Sequence, residues 1–465
     1  MLQIFDSSRH WNRRNVLQIG LGALGGAAFS GYGNLGVHAA PSSVSPVTGK
    51  SVVFLFMQGG PTQTETFDPK MTAPLGIRSA TGEVATSIPG ITLGGTFPLL
   101  AQRMHQLAVV RSFVPGDASH DIKTIVGRAT QGANIGSLFA RVAGTNHPVN
   151  GVPTNALLFP RAVDPSTGPE ITSFGRFDAT GNVGAGFTPF VPGAEGDMQN
   201  NLKLNLPLDR LGERRVLLAH LDNLRRNLAG QVDPNGLDQI RDRAFQTILG
   251  DVANTFDLSR EDPRTVARYD TAGLIGPDQI DKKWNNYQHY LDHVKSLGKL
   301  MLLARRLCEA GCGFITVTTS FVWDNHADDN NAGVEEGMRY CGRPFDHAVS
   351  AFLEDIEERG LSDKVLLVCC GEMGRTPRID QKGGRNHWGN IGPLLLAGGG
   401  WKMGQIIGTS NRDVSEPSSD PVTVPQLVST ILHTLLDVGT LRTLRDTHPD
   451  VLKAATAAEP IRQLS

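Results

Sequence analysis

Three apolar runs in this chain stop abruptly at polar motifs and a fourth follows one, and that pattern leaves few folds open. The run VVFLFM, residues 52–57, ends at Gln58, Gly59, Gly60 and Pro61. GFITVTTS leads into Trp323, Asp324, Asn325 and His326, and KVLLVCCG leads into Glu372, Met373, Gly374 and Arg375. GGRNHWGN, with Arg385 and His387, comes just before the fourth run, PLLLAGGG. Continuous apolar runs, unlike alternating ones, suit strands buried on both faces of a parallel sheet. Ligands of such sheets sit beyond the carboxyl ends of the strands, where these motifs fall.

The spacing of the remaining elements predicts an α/β fold with a doubly wound, mostly parallel sheet. Further strands are expected over 107–110, 156–159, 314–318 and 365–370, with helices over 121–130, 282–309 and 344–359. Gly311 and Gly360 close the last two helices in the usual C-terminal position. Residues 165–192 are rich in Gly, Pro, Thr and Phe and read as irregular loop; helical patterns follow over 208–228 and 237–252. An excursion of this kind between strands of one sheet predicts a helical cap insertion over about residues 165–290, within an α/β domain spanning 40–465.

The first 39 residues read as a targeting segment, set apart from the fold. Arg13 and Arg14 are followed by a glycine-rich, weakly apolar stretch to Phe29, and Val37, His38 and Ala39 offer a cleavage site. Twin arginines of this kind predict export of an already folded protein to the periplasm or cell surface. Gly20, Gly22 and Gly25 spell a dinucleotide fingerprint, but arginines precede it instead of a strand. No acidic residue lies between Asp6 and Glu65 to bind a ribose, so the match is rejected. With 44 Lys plus Arg against 46 Asp plus Glu, the chain also has no basic surplus for nucleic acid. The five cysteines lie unevenly in the second half; Cys369 and Cys370 fall in an apolar strand and read as core.

Asp324 and His326 stand two residues apart, so in an extended segment their side chains project to the same side. With His387 from the next loop they make two imidazoles and one carboxylate, a donor set for zinc or ferrous iron. The plainer alternative is three loop residues that only hydrogen-bond. His120 and Asp121 follow Ser119 at an expected helix start, where Ser119 or Asp121 would serve as a cap; alternatively His120 and Asp121 face the same site as Gln58. Arg375 and Arg385 suit bidentate binding of a tetrahedral oxyanion, or lie on surface loops. His347 reads as part of a solvated helix face.

At these motifs the chain resembles a family of exported bacterial proteins catalogued as domain of unknown function 1501. The resemblance is carried by the twin-arginine leader, FLFMQGGPTQTETFDPK, SHDIKT, LLARRLCEAGCGFITV, WDNHADD, AFLEDIEERGLSDKVLLVCCGEMGRTP, GRNHWGN and LLLAGGG. It implies an alkaline phosphatase and sulfatase type of fold, in which two metals flank a nucleophile. Asp324, His326 and His387 look like one metal set. The other set departs from the pattern, with neutral Gln58 and Glu372-Met373 in the places of harder ligands, so a second metal is doubtful. No Cys-x-Pro-x-Arg stretch marks a formylglycine sulfatase, and the nucleophile slot falls near Ser119, His120, Asp121 and Thr124. The resemblance thus implies one divalent metal (zinc, iron or manganese) held by Asp324, His326 and His387, with Glu372 a metal candidate on the side of the doubtful second ion. His120 and Asp121 are the catalytic candidates, with His120 either general base or fourth ligand, and Gln58, Arg375 and Arg385 would bind substrate. The expected activity is hydrolysis of a phosphate or sulfate ester on a small molecule or polysaccharide; the alternative is a binding or scaffold protein that has lost turnover.

Overall fold

The computed structural model describes residues 45–193 and 252–465. Seven strands form the central sheet: β1 (Ser51–Phe56), β2 (Leu107–Val110), β3 (Asn155–Leu158), β4 (Phe314–Thr318), β5 (Val365–Cys370), β6 (Leu394–Gly398) and β7 (Gln405–Ile407). Their order is β7-β2-β6-β5-β1-β4-β3. All pair in parallel except β6, which runs antiparallel to both β2 and β5. The reversal has a simple origin. The chain leaves β5, stays at that end of the sheet for residues 371–393, and re-enters without a crossover helix, so it can only run back.

Successive residues of β1 and β5 feed two different cores. Val53, Leu55, Leu367 and Cys369 pack on one face with helices α2 (Tyr287–Glu309) and α3 (Val334–Glu358). Val52, Phe54, Phe56, Leu366, Val368 and Cys370 pack on the other with α1 (Ile135–Ala143), α4 (Val424–Leu435) and α5 (Pro449–Thr456). Two-sided burial explains why these runs are continuously apolar, and each fully buried Leu or Phe side chain contributes roughly 1.5–3 kcal/mol. All five cysteines are buried, as core residues, and none is in a disulfide among the described residues.

Three expected elements are revised. Residues 121–130 are turns followed by a 3-10 helix, Arg128–Thr130, not an α-helix. Asp117 accepts the Ser119 N–H and Asp121 accepts the Lys123 N–H, so side chains hold the backbone in turns that compete with a helix. α2 begins at Tyr287, five residues later than 282. α3 begins at Val334 and carries Pro344 in its interior, where the sequence suggested a start. Pro344 removes one backbone donor. His293 of α2 donates to the Cys341 carbonyl in that turn, and the burial of Met338, Tyr340, Cys341 and Phe345 keeps the helix continuous. The helix expected over 208–228, the twin-arginine segment and all but Val252 of the helix expected over 237–252 lie outside the described residues. Of the expected cap, Val252–Phe256 and Pro263–Tyr269 are short helices.

These pieces are pinned to α2 and α3 by ion pairs. Arg305, 1% exposed, meets Asp355 at 2.7 Å and Glu261 at 2.6 Å, and the Tyr269 hydroxyl donates to Asp355 at 3.0 Å. Arg306 also reaches Glu261 and Arg359 also reaches Asp355. His347, half-buried, bonds the Arg268 carbonyl and so belongs to this packing.

His293 makes one acid-sensitive point. Its Nε2 is committed to Cys341 and its Nδ1 has no partner among the described residues, so burial pushes the imidazole down to about 4 from 6.5. The unfolded chain therefore takes up the proton first as pH falls. The stability linked to neutral His293 is complete above pH 6.5 and is lost toward pH 4, with about 2 kcal/mol gone by pH 5. Urea unfolding at pH 7 and pH 5 is expected to show that loss, and His293→Gln is expected to shrink it. Equal acid losses in both proteins would exclude His293 as the cause.

Candidate metal centre

The site forms where three neighbouring parallel strands end: β5, β1 and β4. The turn after β1 brings Gly59 against the backbone of Asp324; a side chain there would place its first carbon 2.7 Å from the Asp324 nitrogen, and Gly59 has a φ of +116°. Only glycine serves both needs. Gly59 N–H in turn donates to Glu372 at 3.1 Å, and the Gly59 carbonyl accepts from Arg375. The first motif is thus a backbone brace between the second and third.

Four donor groups converge in front of this brace. His120, Asp324, His326 and His387 each offer an atom within 4.8 Å of all the others. Oδ1 of Asp324 lies 3.6 Å from His120 Nε2, 3.0 Å from His326 Nε2 and 3.7 Å from His387 Nε2. The nitrogens of His326 and His387 are 2.8 Å apart. Two imidazole nitrogens at that distance need a shared proton or a cation between them. Tetrahedral bonds of about 2.0–2.1 Å put ligand atoms about 3.3–3.4 Å apart, in the middle of the observed range. The donor set therefore fits one divalent ion.

The groups behind the donors strengthen the fit. Glu372 accepts from His120 Nδ1 at 2.9 Å, which fixes the proton there and turns the Nε2 lone pair inward. Asn386 Oδ1 does the same for His326 Nδ1 at 3.3 Å. Asn331 donates to the outer oxygen of Asp324 at 2.9 Å. Such partners orient ligands and raise their basicity. His387 is carried by a two-residue ladder, His387–Trp388 against Gly374–Arg375, and anchored by Trp388 Nε1 on the Ser415 carbonyl. Asp324 is buried while His387 keeps 31% of its side chain exposed, so access is from the histidine side.

Charge is settled by the same contacts. Burial pushes the Asp324 carboxyl up, but the Arg375 charge and the bonds to three imidazoles outweigh it and hold the carboxyl well below the usual range. Burial lowers the His120 imidazole, and its bonds to Asp324 and Glu372 more than reverse this, leaving it raised.

The structure brings Asp324, His326 and His387 together as the spacing suggested, and adds His120 as the fourth donor. Four expectations are corrected. Glu372 is not among the converging donors; it holds His120 from behind. Asp121 turns away from the cluster and pairs with Lys123 at 3.1 Å, closing a turn. Gln58 is buried, its amide spent on the Ile171 carbonyl. Arg375 and Arg385 have no exposed side chain for a substrate. Arg375 instead bonds Gly59, Gly60 and Asp324 and lies 3.2 Å from His326 Nε2. Asn331 and Asn386 were missed, since asparagines in loops carry no signal of their own. Phe174 and Phe321, stacked with centroids 5.0 Å apart and each 5.0 Å from the His120 ring, were missed for the same reason. A cleft of about 810 Å³ is lined by Ile122, Lys123, Val126, Arg128, Phe174 and Lys453 and by none of the four donor residues, so it is separate from the cluster.

Solved structures similar to this chain include a sulfatase from Pseudoalteromonas sp., at 10% identity and a TM-score of 0.39, covering 86% of this chain and 69% of that one. The lipoteichoic acid synthase of Listeria monocytogenes shares 10% identity at a TM-score of 0.34, over 86% and 76% of the two chains. The phosphonate monoester hydrolase of Agrobacterium radiobacter shares 11% at 0.28, over 83% and 73%. Scores this low assign no residue or activity to this chain. No curated protein matches it in sequence. One family model does match, over residues 49–443, and by that match the chain belongs to the protein family of unknown function DUF1501.

Proposed function

We propose that this protein is exported by the twin-arginine route and acts as a metal-dependent hydrolase on a phosphate or sulfate ester of a small molecule or polysaccharide. The observation that carries the reading is the convergence of His120, Asp324, His326 and His387 on loops that follow the parallel strands β2, β4 and β5. A divalent ion held there supplies a Lewis acid and lowers the pKa of water to about 7. The resemblance of the sequence motifs to alkaline phosphatases and sulfatases supports the ester chemistry.

The protein's own groups divide the remaining work. Asp324 and the three imidazoles bind and orient. Glu372 keeps the proton on His120 Nδ1. Phe174 and Phe321 exclude water from one side of His120. Neither hydroxyl near the expected nucleophile slot is presented to the cluster. Thr124 is buried and donates to the Gly371 carbonyl, and the Ser119 hydroxyl bonds the Asp117 carboxylate. Attack by water is therefore favoured over a covalent step.

One observation favours a binding protein without turnover: both arginines nearest the cluster, Arg375 and Arg385, are buried and committed to protein atoms. Metal analysis of protein purified without added metal, followed by a broad panel of phosphate and sulfate esters, separates the readings. One equivalent of zinc, iron or manganese with turnover of an ester is expected. Metal without turnover would favour the binding protein. Export has its own check: replacing Arg13 and Arg14 with Lys is expected to strand precursor in the cytoplasm, and unchanged export would remove that part of the proposal.

A further inference from the structure

Glu65 follows the first strand in the motif QTETFDP, and its side chain has no exposed surface. A buried carboxylate is costly unless its oxygens are saturated. Here they are. Oε1 accepts from Ala80 N–H at 3.1 Å and Arg385 Nη2 at 2.9 Å; Oε2 accepts from Ser79 Oγ at 2.8 Å and from the Thr81 N–H and hydroxyl at 3.1 and 3.0 Å. Arg385 is equally enclosed, with further bonds to the carbonyls of Ile77, Arg78, Thr376 and Pro377.

While the side chain of Arg385 is locked onto Glu65, its backbone touches the metal centre. Its N–H donates to the Asn325 carbonyl at 3.0 Å, the residue between Asp324 and His326. Its carbonyl accepts from Arg375, the guanidinium that also holds Asp324. The next two residues are Asn386, which orients His326, and His387 itself. One fixed point therefore sets the loop of Asp324 and His326 against the loop of His387.

We infer that Glu65 is a positioning residue of the metal centre, acting through Arg385 to hold the two ligand-bearing loops in register. Two packed apolar residues would serve stability as well as this buried pair does. The ionic pair adds direction, since five donors fix the carboxylate and the carboxylate fixes the guanidinium. The inference rests on reading the four-residue cluster as a metal site, and it does not depend on the reaction catalysed there.

The test is cobalt and zinc affinity of the full protein, measured by competition with a chelator, together with the visible spectrum of the cobalt form. Glu65→Gln keeps the side-chain volume but sets an amide donor against donors. It is expected to weaken metal binding by about 10–100-fold and to alter the cobalt spectrum, with far-UV circular dichroism unchanged. Asp355→Asn, in the remote ion network of α2 and α3, is the control for general destabilisation and is expected to keep affinity within about twofold. Unchanged affinity in Glu65→Gln, or equal weakening in the control, would overturn the inference. Should Glu65→Gln not fold, Ser79→Ala and Thr81→Val each remove one donor and keep the charge pair. Several-fold weaker binding then supports the inference, and wild-type affinity in both overturns it. A wild-type protein that binds no ion removes the metal site and this role together, whereas one that binds metal but turns over no ester loses only the proposed activity.

Discussion

His387→Ala protein, purified as the wild type is, is expected to retain less than about a tenth of the bound divalent ion and to hydrolyse no ester. Loss of an outer-shell partner of a metal ligand costs about 10–100-fold in affinity, and loss of a ligand costs more. His387 is the sharpest choice because it is the most exposed of the three imidazoles, so its removal leaves the least buried void. Glu372→Gln should fall between it and the wild type, since it disturbs His120 without removing a donor. Metal content by mass spectrometry decides the matter. Full metal occupancy in His387→Ala would mean that His387 is not a ligand of the bound ion.

Arg305→Ala is expected to give the largest loss of stability, about 3 kcal/mol by urea unfolding, with metal content unchanged. Truncating one member of a buried ionic set leaves its partners charged and unpaired, which costs about 3–5 kcal/mol. The lower end applies because Arg359 still reaches Asp355 and Arg306 still reaches Glu261. The tie between the short helices Val252–Phe256 and Pro263–Tyr269 and the long helices behind the sheet should loosen first, since Glu261 and Tyr269 meet the network there. A loss under about 1 kcal/mol would mean that water takes the place of the guanidinium.

What the sequence disclosed follows from how local each signal is. The runs ending at Met57, Thr318 and Cys370 announce strands because two-sided burial makes every residue apolar, and the motifs after them mark the reactive edge. Asp324, His326 and His387 were legible because few side-chain types bind metals. The antiparallel direction of β6 was not legible, since PLLLAGGG has the same composition whichever way it runs. Pro344 misled because a proline opening a helix and one inside a helix look alike until the packing around them is known. The side-chain turns of Asp117 and Asp121 won over the helical pattern of residues 121–130. Roles that depend on distant partners were hidden altogether. Arg385 resembles an anion-binding arginine in sequence, and only the fold reveals that Glu65 has taken it. Glu372 resembles a ligand, and only the fold reveals His120 in front of it.

The scattering of the site along the chain has a consequence for how the protein matures. The four donors lie on loops that follow β2, β4 and β5, and their meeting requires those strands to be set in one sheet with β6 and β1 between them. The unfolded chain holds these donors too far apart to chelate, so an ion that needs all four binds the native state alone and stabilises it by mass action. Loading would then report completed assembly of the sheet: a chain holding an ion on all four donors would, by that fact, be one that has finished folding.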